Sequence, residues 1–314
     1  MICTKHTARG GKLWCAIDWL IALIFSGASF YDYFAYGFSK KRYSGRDDFM
    51  TFRKHSKIQK LYNDQRKIKV MRDKELFNEI FKDYLGRESH EFKNLSKEEF
   101  VHFFESNEEI FIKDSFGLCG KNIGVYNIKE TDAHQLYNQL KSDSSIKYLI
   151  ESCMKQHDSI ARLHPWSINT IRIVTLYDKI SDKVEIVCAR QRIGNFKNRV
   201  DNFHQGGLCA VIDLDTGIIS SVGYDKNGKQ YVRHPLTQEI IPGFQEPNWE
   251  ACKRFACKMA KIVPEVGYVG WDIVVLQDGS FAVIEGNDNA DHDVQQIDGN
   301  GIWPKYKRII KQRS

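Results

Sequence analysis

Apolar residues recur at helical spacing through the early part of the chain and at strand spacing through much of the remainder. Residues 49–85 are basic and amphipathic, and Asp73-Lys74 opens the helical piece KELFNEIFKDYL. Ser96-Lys97-Glu98-Glu99 has the spacing of a capping box, so another helix is expected there. The texture then changes. Residues 109–113 (EIFIK) and 123–128 read as strands of a hairpin around the glycine-bearing stretch DSFGLCGKN. Thr131-Asp132 can open a helix to about residue 142, and residues 146–153 (IKYLIESC) suit a buried strand.

Strand-like runs dominate the second half, at 170–177, 184–190, 207–213 and 218–224. A helix is expected from Asn248 to about residue 262. Residues 269–276 and 281–285 follow as a strand pair closed by a tight Asp278-Gly279 turn. This order predicts an α+β chain of two lobes with a cleft between them. Its expected partition is a helical, basic and aromatic segment over 1–65, a first lobe over 66–160 and a second over 161–314.

Residues 13–38 form the one candidate for a membrane or targeting element, but Asp18 and Ser26-Gly27 interrupt the apolar run well short of the ~20 residues a span requires. A helix packed on the core is the first expectation, and an aromatic-rich helix lying at a bilayer surface the second. Residues 1–74 hold 16 Lys and Arg against 6 Asp, a net of +10 in a chain whose total is +6. Such a basic front end can face anionic lipid or an acidic polymer, although a solvated basic helix face has the same composition. No nucleic-acid partner is expected. The eight cysteines show no zinc spacing, which points to reduced thiols in a cytoplasmic protein, and the N-terminal segment makes peripheral contact at the inner membrane face an expectation.

The most informative stretch is GWDIVVLQDGSFAVIEGN. In a hairpin, the end of the second strand returns beside the start of the first, so Asp272 and Glu285 become neighbours, and Asn287 projects to the same side as Glu285. Two carboxylates and an amide oxygen suit Mg²⁺, which takes few protein ligands alongside phosphate oxygens. Ordinary turn acids would give the same spacing. Lys113 precedes a loop holding Gly117, Gly120 and Gly124, an arrangement that can bring a point charge and backbone N–H groups to phosphate. Arg172, Arg190 and Arg192 lie on successive strands, with Asn202, Gly206 and Gly207 after them. Arginines converging on a cleft suit a carboxylate or phosphate that gains charge during reaction.

Taken in order, Lys113, the glycine loop, Glu151, Arg172, Asn202 with Gly206-Gly207, Asp272 and Glu285-x-Asn287 resemble the ATP-grasp superfamily, and more closely its sugar-transfer-associated members. The resemblance covers about residues 65–300 and implies an ATP-grasp fold whose two α+β lobes enclose a nucleotide cleft behind a helical N-terminal extension. It gives Lys74 and Lys113 to the phosphates of ATP, residues 117–124 to a flap, Glu151 to the adenine, and His157 or Asp158 to the ribose. Arg172 would lie near the γ-phosphate, and Asp272, Glu285 and Asn287 would hold Mg²⁺. The stretch 192–207 is similar to the glutamate-ligase branch, implying substrate binding by Asn202, Gly206 and Gly207. Many relatives carry an arginine where this chain has Gly270, so that role would pass to Arg172 or Arg192. Residues 1–65 also depart from the nucleotide-like domain that usually precedes an ATP-grasp. The activity implied is ADP-forming C–N ligation through an acyl phosphate, with an amino acid or amine joined to a uronic-acid carboxylate for surface polysaccharide. Phosphoryl transfer to a hydroxyl, or a non-catalytic nucleotide-binding scaffold, are the alternatives. Cys119 is a spectator in this reading.

Overall fold

The computed structural model describes residues 11–114, 124–195, 203 and 206–313. Its first part is a train of short helices: α1 (Gly11–Ser26), α2 (Phe30–Ala35), α3 (Tyr43–Arg46), α4 (Phe52–Tyr62), α5 (Lys69–Arg72) and α6 (Lys74–Ile80). Ser29 and Asp32 form a reciprocal capping box on α2, and Asp73 caps α6 through the Glu75 and Leu76 amides. Residues 13–38 pack on the protein in part, with Leu13, Ile17, Leu20, Ile24 and Phe25 left outside. Ala22, Ala28, Tyr33, Tyr36, Phe38 and Phe49 form a small cluster, and beside Ala22 the buried side chain of α1 is the acid Asp18. Arg46 donates to it twice (3.0 and 2.7 Å), and the Tyr33 and Tyr43 hydroxyls donate at 2.6 and 3.0 Å. A carboxylate can be buried only with such partners, and this requirement sets the rotation of α1.

The first sheet contains β1 (Ser89–Glu91), β2 (Glu109–Asp114), β3 (Gly124–Asn127) and β4 (Tyr148–Ser152), in the order β1-β4-β2-β3 and antiparallel throughout. α7 (Lys97–Glu105) has the Ser96–Glu99 capping box, and α8 (Ala133–Ser142) is capped by Asp132. Both pack on one sheet face, where Phe100, Phe104, Ile110, Ile112, Leu136 and Ile150 form the core. Strand alternation therefore turns Phe111 and Lys113 to the other face.

The second sheet is built from β5 (Ile171–Asp178), β6 (Lys183–Ile193), β7 (Leu208–Ile212), β8 (Gly223–Tyr224), β9 (Gln230–Tyr231), β10 (Tyr268–Val275) and β11 (Phe281–Asn287). Its order is β11-β10-β5-β6-β7-β8-β9. α9 (Asp158–Ala161) lies between the sheets in sequence, and α10 (Trp249–Ile262) places Cys252, Ala256 and Met259 against Ile171, Ile173, Ala189 and Trp271. On the opposite face, Ile58 and Tyr62 of α4 and Trp303, Tyr306 and Ile309 of α11 (Trp303–Arg313) cover Val174, Leu176, Cys188 and Tyr268. Cover on both faces explains why every residue of β10 is buried and its sequence lacks alternation.

The expected strand over 218–224 shrinks to Gly223–Tyr224, with single bridges from Ile218 to Gln245 and Ile219 to Ile212. The Ser221 hydroxyl accepts from the Val211 amide at 2.8 Å, replacing a backbone ladder bond. The start and end of the described chain meet. Met50 N–H donates to Gln296 Oε1 (2.7 Å), Trp303 N–H donates to the Asp48 carbonyl (2.8 Å), and Asp32 Oδ1 lies 2.8 Å from His292 Nε2. Among the described residues no helix is long and apolar enough to cross a membrane, and no disulfide links the six described cysteines.

Candidate nucleotide and metal site

The register of the second sheet aligns Arg190, Arg172, Asp272 and Glu285 in one row across β6, β5, β10 and β11. Asn287 lies opposite Gly270, two residues along on the same face. Alternation alone would place Val283 with Glu285, yet Val283 is in the core. A register slip after Asp272 resolves this: Ile273 pairs with Val283, Ile284 is the extra residue, and Glu285 is turned away from the core.

Asp272 accepts from Arg172 Nε and from Arg172 Nη2 (2.8 Å), and Arg192 Nη1 donates to its Oδ2 at 2.5 Å. Burial alone would favour the neutral acid, but the two guanidiniums outweigh it and hold Asp272 well below the usual carboxylate range. Glu285 is shifted the other way, by burial and then by the negative charge of Asp272, to which it hydrogen-bonds. Asn287 Nδ2 donates to Glu285 Oε1 at 3.0 Å, and Arg172 Nη2 is 3.9 Å from that oxygen. Gly270 is required by this packing. An added Cβ would lie 2.8 Å from Ala290 Cβ and 3.1 Å from Arg172 Cδ, so the missing side chain makes the space that Arg172 occupies. Gly286 serves a different contact, because a Cβ there would lie 2.8 Å from Met71 Sδ and 2.9 Å from the Trp271 ring.

Among the described residues no group of three or more His, Cys, Asp or Glu side chains is placed to hold a metal. The set here is two carboxylates and an amide, the hard-oxygen chemistry that Mg²⁺ takes. The register sets the Asp272 and Glu285 carboxylates side by side, and turning the Asn287 amide would present its oxygen beside them. The residues therefore fit Mg²⁺. Glu285 and Asn287 are the readier donors, since guanidiniums already engage Asp272.

The face of the first sheet opposite α7 and α8 has its own charged group. Lys113 Nζ lies 2.8 Å from Glu151 Oε1, and Arg87 Nε lies 3.0 Å from Oε2. Asn78 and Ser89 each donate to Oε1 at 3.2 Å. Against the penalty of burial, the charges of Lys113 and Arg87 bring Glu151 down to about 2. Burial lowers the Lys113 ammonium despite its carboxylate partner, and the nearby charge of Lys74 contributes. Lys74 donates to the Asp114 carbonyl (3.0 Å), so both lysines meet at the end of β2. Removing Glu151 strands two buried cations. Glu151→Ala is expected to cost about 3–5 kcal/mol of stability, measurable by denaturant unfolding, and an unfolding midpoint like the parent's would overturn the buried-pair assignment.

The two groups are joined mechanically. Arg87 Nη1 donates to the carbonyls of Leu85 (3.2 Å) and Val283 (3.4 Å), the latter two residues before Glu285. After β4 the chain runs along the end of β10, where His157 N–H donates to the Val275 carbonyl (2.8 Å) and Gln277 N–H to that of Lys155 (3.1 Å). Gln156 Oε1 accepts from Asn169 N–H (2.9 Å) and Nδ2 (3.0 Å), and Asn169 Oδ1 accepts from Gly194 N–H (3.1 Å). The connector between the sheets is thus fixed to the strand ends that carry Arg172 and Arg192.

Residues 53–311 match the family described as sugar-transfer associated ATP-grasp. The chain belongs to this family. No curated protein matches it in sequence. Similar solved structures include the ATP-grasp ligase PsnB complexed with a phosphomimetic variant of its minimal precursor, Mg and ADP, at 14% identity and a TM-score of 0.48, covering 81% of this chain and 62% of that one. N5-carboxyaminoimidazole ribonucleotide synthetase from Thermotoga maritima matches at 11% and 0.40, covering 75% and 48%, respectively. Biotin carboxylase from Campylobacter jejuni matches at 13% and 0.44, covering 73% and 43%. The chain spans less than two thirds of each of these.

In this ATP-grasp chain the structure brings together Arg172, Arg192, Asp272, Glu285 and Asn287 in one group, and Lys74, Lys113 and Glu151 in another. The Glu151 carboxylate, expected at the adenine, is committed to Lys113 and Arg87 and so orders the lysine. His157 caps α9, with Nδ1 accepting from Ser159 N–H (3.2 Å), while Asp158 is exposed. Arg190 is turned to the carbonyls of Val294 and Gln295, away from Asp272. Gly206 lies beside Asn195, whose Nδ2 donates to its carbonyl (3.1 Å), and Gly207 is buried at the entry to β7. Gly117, Gly120, Cys119 and Asn202 lie outside the described residues. Sequence reasoning missed Arg87, Gln156 and Asn169. Each is an ordinary polar residue in a connecting segment, and only long-range contacts give it a role.

Proposed function

We propose that this ATP-grasp chain is an ADP-forming carboxylate–amine ligase, and that its carboxylate substrate is a uronic acid or similar acidic sugar of a surface-polysaccharide precursor. The observation that carries this reading is the convergence of Arg172 and Arg192 on Asp272, beside Glu285 and Asn287. It sets cationic donors for a transferring phosphoryl group next to hard oxygens for its counter-ion.

In this proposal, Lys74 and Lys113 bind the phosphates of ATP, and the connector around residues 153–158 receives the nucleoside. Arg172 and Arg192 orient the substrate carboxylate and offset charge as its oxygen attacks the γ-phosphorus and the bond to ADP breaks. The amine nitrogen then attacks the acyl carbon, the bond to phosphate breaks, and the amine proton leaves with phosphate or water. Bound Mg²⁺ on Asp272, Glu285 and Asn287 would supply further charge compensation to the triphosphate. No protein nucleophile is needed, so catalysis is mainly positioning and electrostatics. The partition 1–65, 66–160 and 161–314 belongs to the same proposal, with nucleotide bound between the second and third units.

Incubation with ATP, Mg²⁺, mixed amino acids and uronic acids tests it. The expected products are ADP, free phosphate and an amide seen by mass spectrometry. ADP with a phosphate ester would replace the ligase by a phosphotransferase, and no nucleotide turnover with any carboxylate would overturn both.

A further inference from the structure

Helix α1 is amphipathic in the inverse sense. Asp18 is 2% exposed and tied to Arg46, Tyr33 and Tyr43, whereas Leu13 is 76%, Ile24 63% and Phe25 81% exposed. Leu13, Ile17, Leu20 and Ile24 follow one another at steps of four, three and four residues, so they form one continuous stripe along the helix. Phe30, also exposed, extends it, with its ring edge-on to Trp19 at 5.6 Å. A stripe of this length facing outward needs a nonaqueous neighbour. Its rotation is set by the buried ion pair, so the exposure is part of the fold.

The charges around the stripe identify that neighbour. Between residues 40 and 60 the exposed ionisable side chains are Lys40, Arg42, Arg53, Lys57 and Lys60 against Asp47 and Asp48. Arg53 donates to the carbonyls of Leu23 (2.8 Å) and Ile24 (2.9 Å), which puts a guanidinium at the end of the apolar stripe. Lys57 and Lys60 follow it at one-face spacing on α4. Of the carboxylates nearby, Asp18 and Asp32 are buried on Arg46 and His292, and Asp293 accepts from the Tyr31 hydroxyl (2.7 Å), which leaves Asp47 and Asp48 as the exposed acids against five exposed cations. We propose that α1 is a docking surface for an anionic phospholipid bilayer, lying in the headgroup region with Leu13, Ile17, Leu20, Ile24 and Phe25 among the acyl chains and the basic α4 face over the phosphates. The 16 residues of α1 extend about 24 Å, short of the ~30 Å hydrocarbon layer, and Asp18 is held within the protein, so the helix lies on the membrane. Such a site would keep a soluble ligase domain close to lipid-linked acidic substrates, but it does not depend on the catalytic reading.

The test is flotation of the full chain with vesicles of phosphatidylcholine alone and with equal parts phosphatidylglycerol, at low and high salt. The expected result is flotation with the anionic vesicles, weakened by salt, and a blue shift of tryptophan emission that Trp14→Phe reduces. The outward-facing double variant Ile17→Ser/Ile24→Ser should keep the parent's circular dichroism and unfolding midpoint yet lose binding by on the order of tenfold or more. Equal flotation with phosphatidylcholine alone overturns the anionic-surface assignment. Undiminished flotation of the folded double variant overturns the role of α1. Absence of flotation, with a dimer in sedimentation that the double variant dissolves, would replace the bilayer by a second copy of the chain.

Discussion

Glu285→Gln is expected to reduce ADP release by roughly two orders of magnitude or more while leaving the unfolding midpoint close to the parent's. Glu285 is partly exposed, and its proton affinity is raised by burial and by Asp272, so an amide of the same shape loses little in the resting protein. What the variant lacks is an anionic oxygen for the counter-ion of the triphosphate. Asp272→Asn should behave differently. It leaves Arg172 and Arg192 converging on an amide with a single acceptor oxygen, in a site where all three groups are buried. A loss of about 3–5 kcal/mol in stability should accompany its loss of turnover. Steady-state ADP release beside denaturant unfolding separates the two variants. Full activity in both would remove the metal assignment and the ligase reading together.

The second large effect lies outside both charged groups. Glu246 is buried with neither carboxyl oxygen hydrogen-bonded, and desolvation pushes it up to about 8. Its amide donates to the Gly217 carbonyl at 3.0 Å, and Cys252 is the titratable neighbour whose thiol its charge further raises. In the unfolded chain this carboxyl titrates near 4.5. Between the two values the native state binds the extra proton, so stability must fall as pH rises through that window and level off above it. At pH 7 the penalty is about 3 kcal/mol. Glu246→Gln should flatten the stability profile between pH 5 and 8 and be more stable than the parent near neutrality, although the buried amide retains part of the desolvation cost. Unfolding free energies across that range decide it: parallel profiles would show that Glu246 finds a partner in solution.

Features set by neighbouring residues were legible from the sequence, whereas those set by distant ones were not. The Ser96–Glu99 capping box and the Asp132 cap form from groups three residues apart, so their spacing specifies them. The β10–β11 hairpin is similar: a five-residue connection brings Asp272 opposite Glu285, and strand pairing allows few other outcomes. The glycine at 270 looked like a departure from the family pattern because its reason, the approach of Ala290 and Arg172, comes from elsewhere in the chain. Arg87 lies next to a glycine turn and gave no signal, yet it holds Glu151 across 64 residues of sequence and reaches Val283 across 196. The apolar residues of 13–38 left two expectations open, a helix packed on the core and one at a bilayer surface, because the apolar pattern does not fix which side of α1 faces the protein. The decisive residue was the single acid, because an unpaired carboxylate is costlier to bury than an exposed leucine is to leave in water. The Arg46 that permits its burial is 28 residues away.

The contacts between the two ends of the described chain also have a meaning in time. Met50 and Gln296 exchange two hydrogen bonds across 246 residues of sequence. On a ribosome adding about 5–20 residues per second, the interval between them amounts to roughly 10–50 s. Throughout that interval the early helices exist without the segment that fixes them, with Asp32 lacking His292 and the Asp48 carbonyl lacking the Trp303 amide. The 292–303 segment is therefore the latch for helices made well before it, and a nascent chain stalled before residue 296 would present α2 to α4 unsecured.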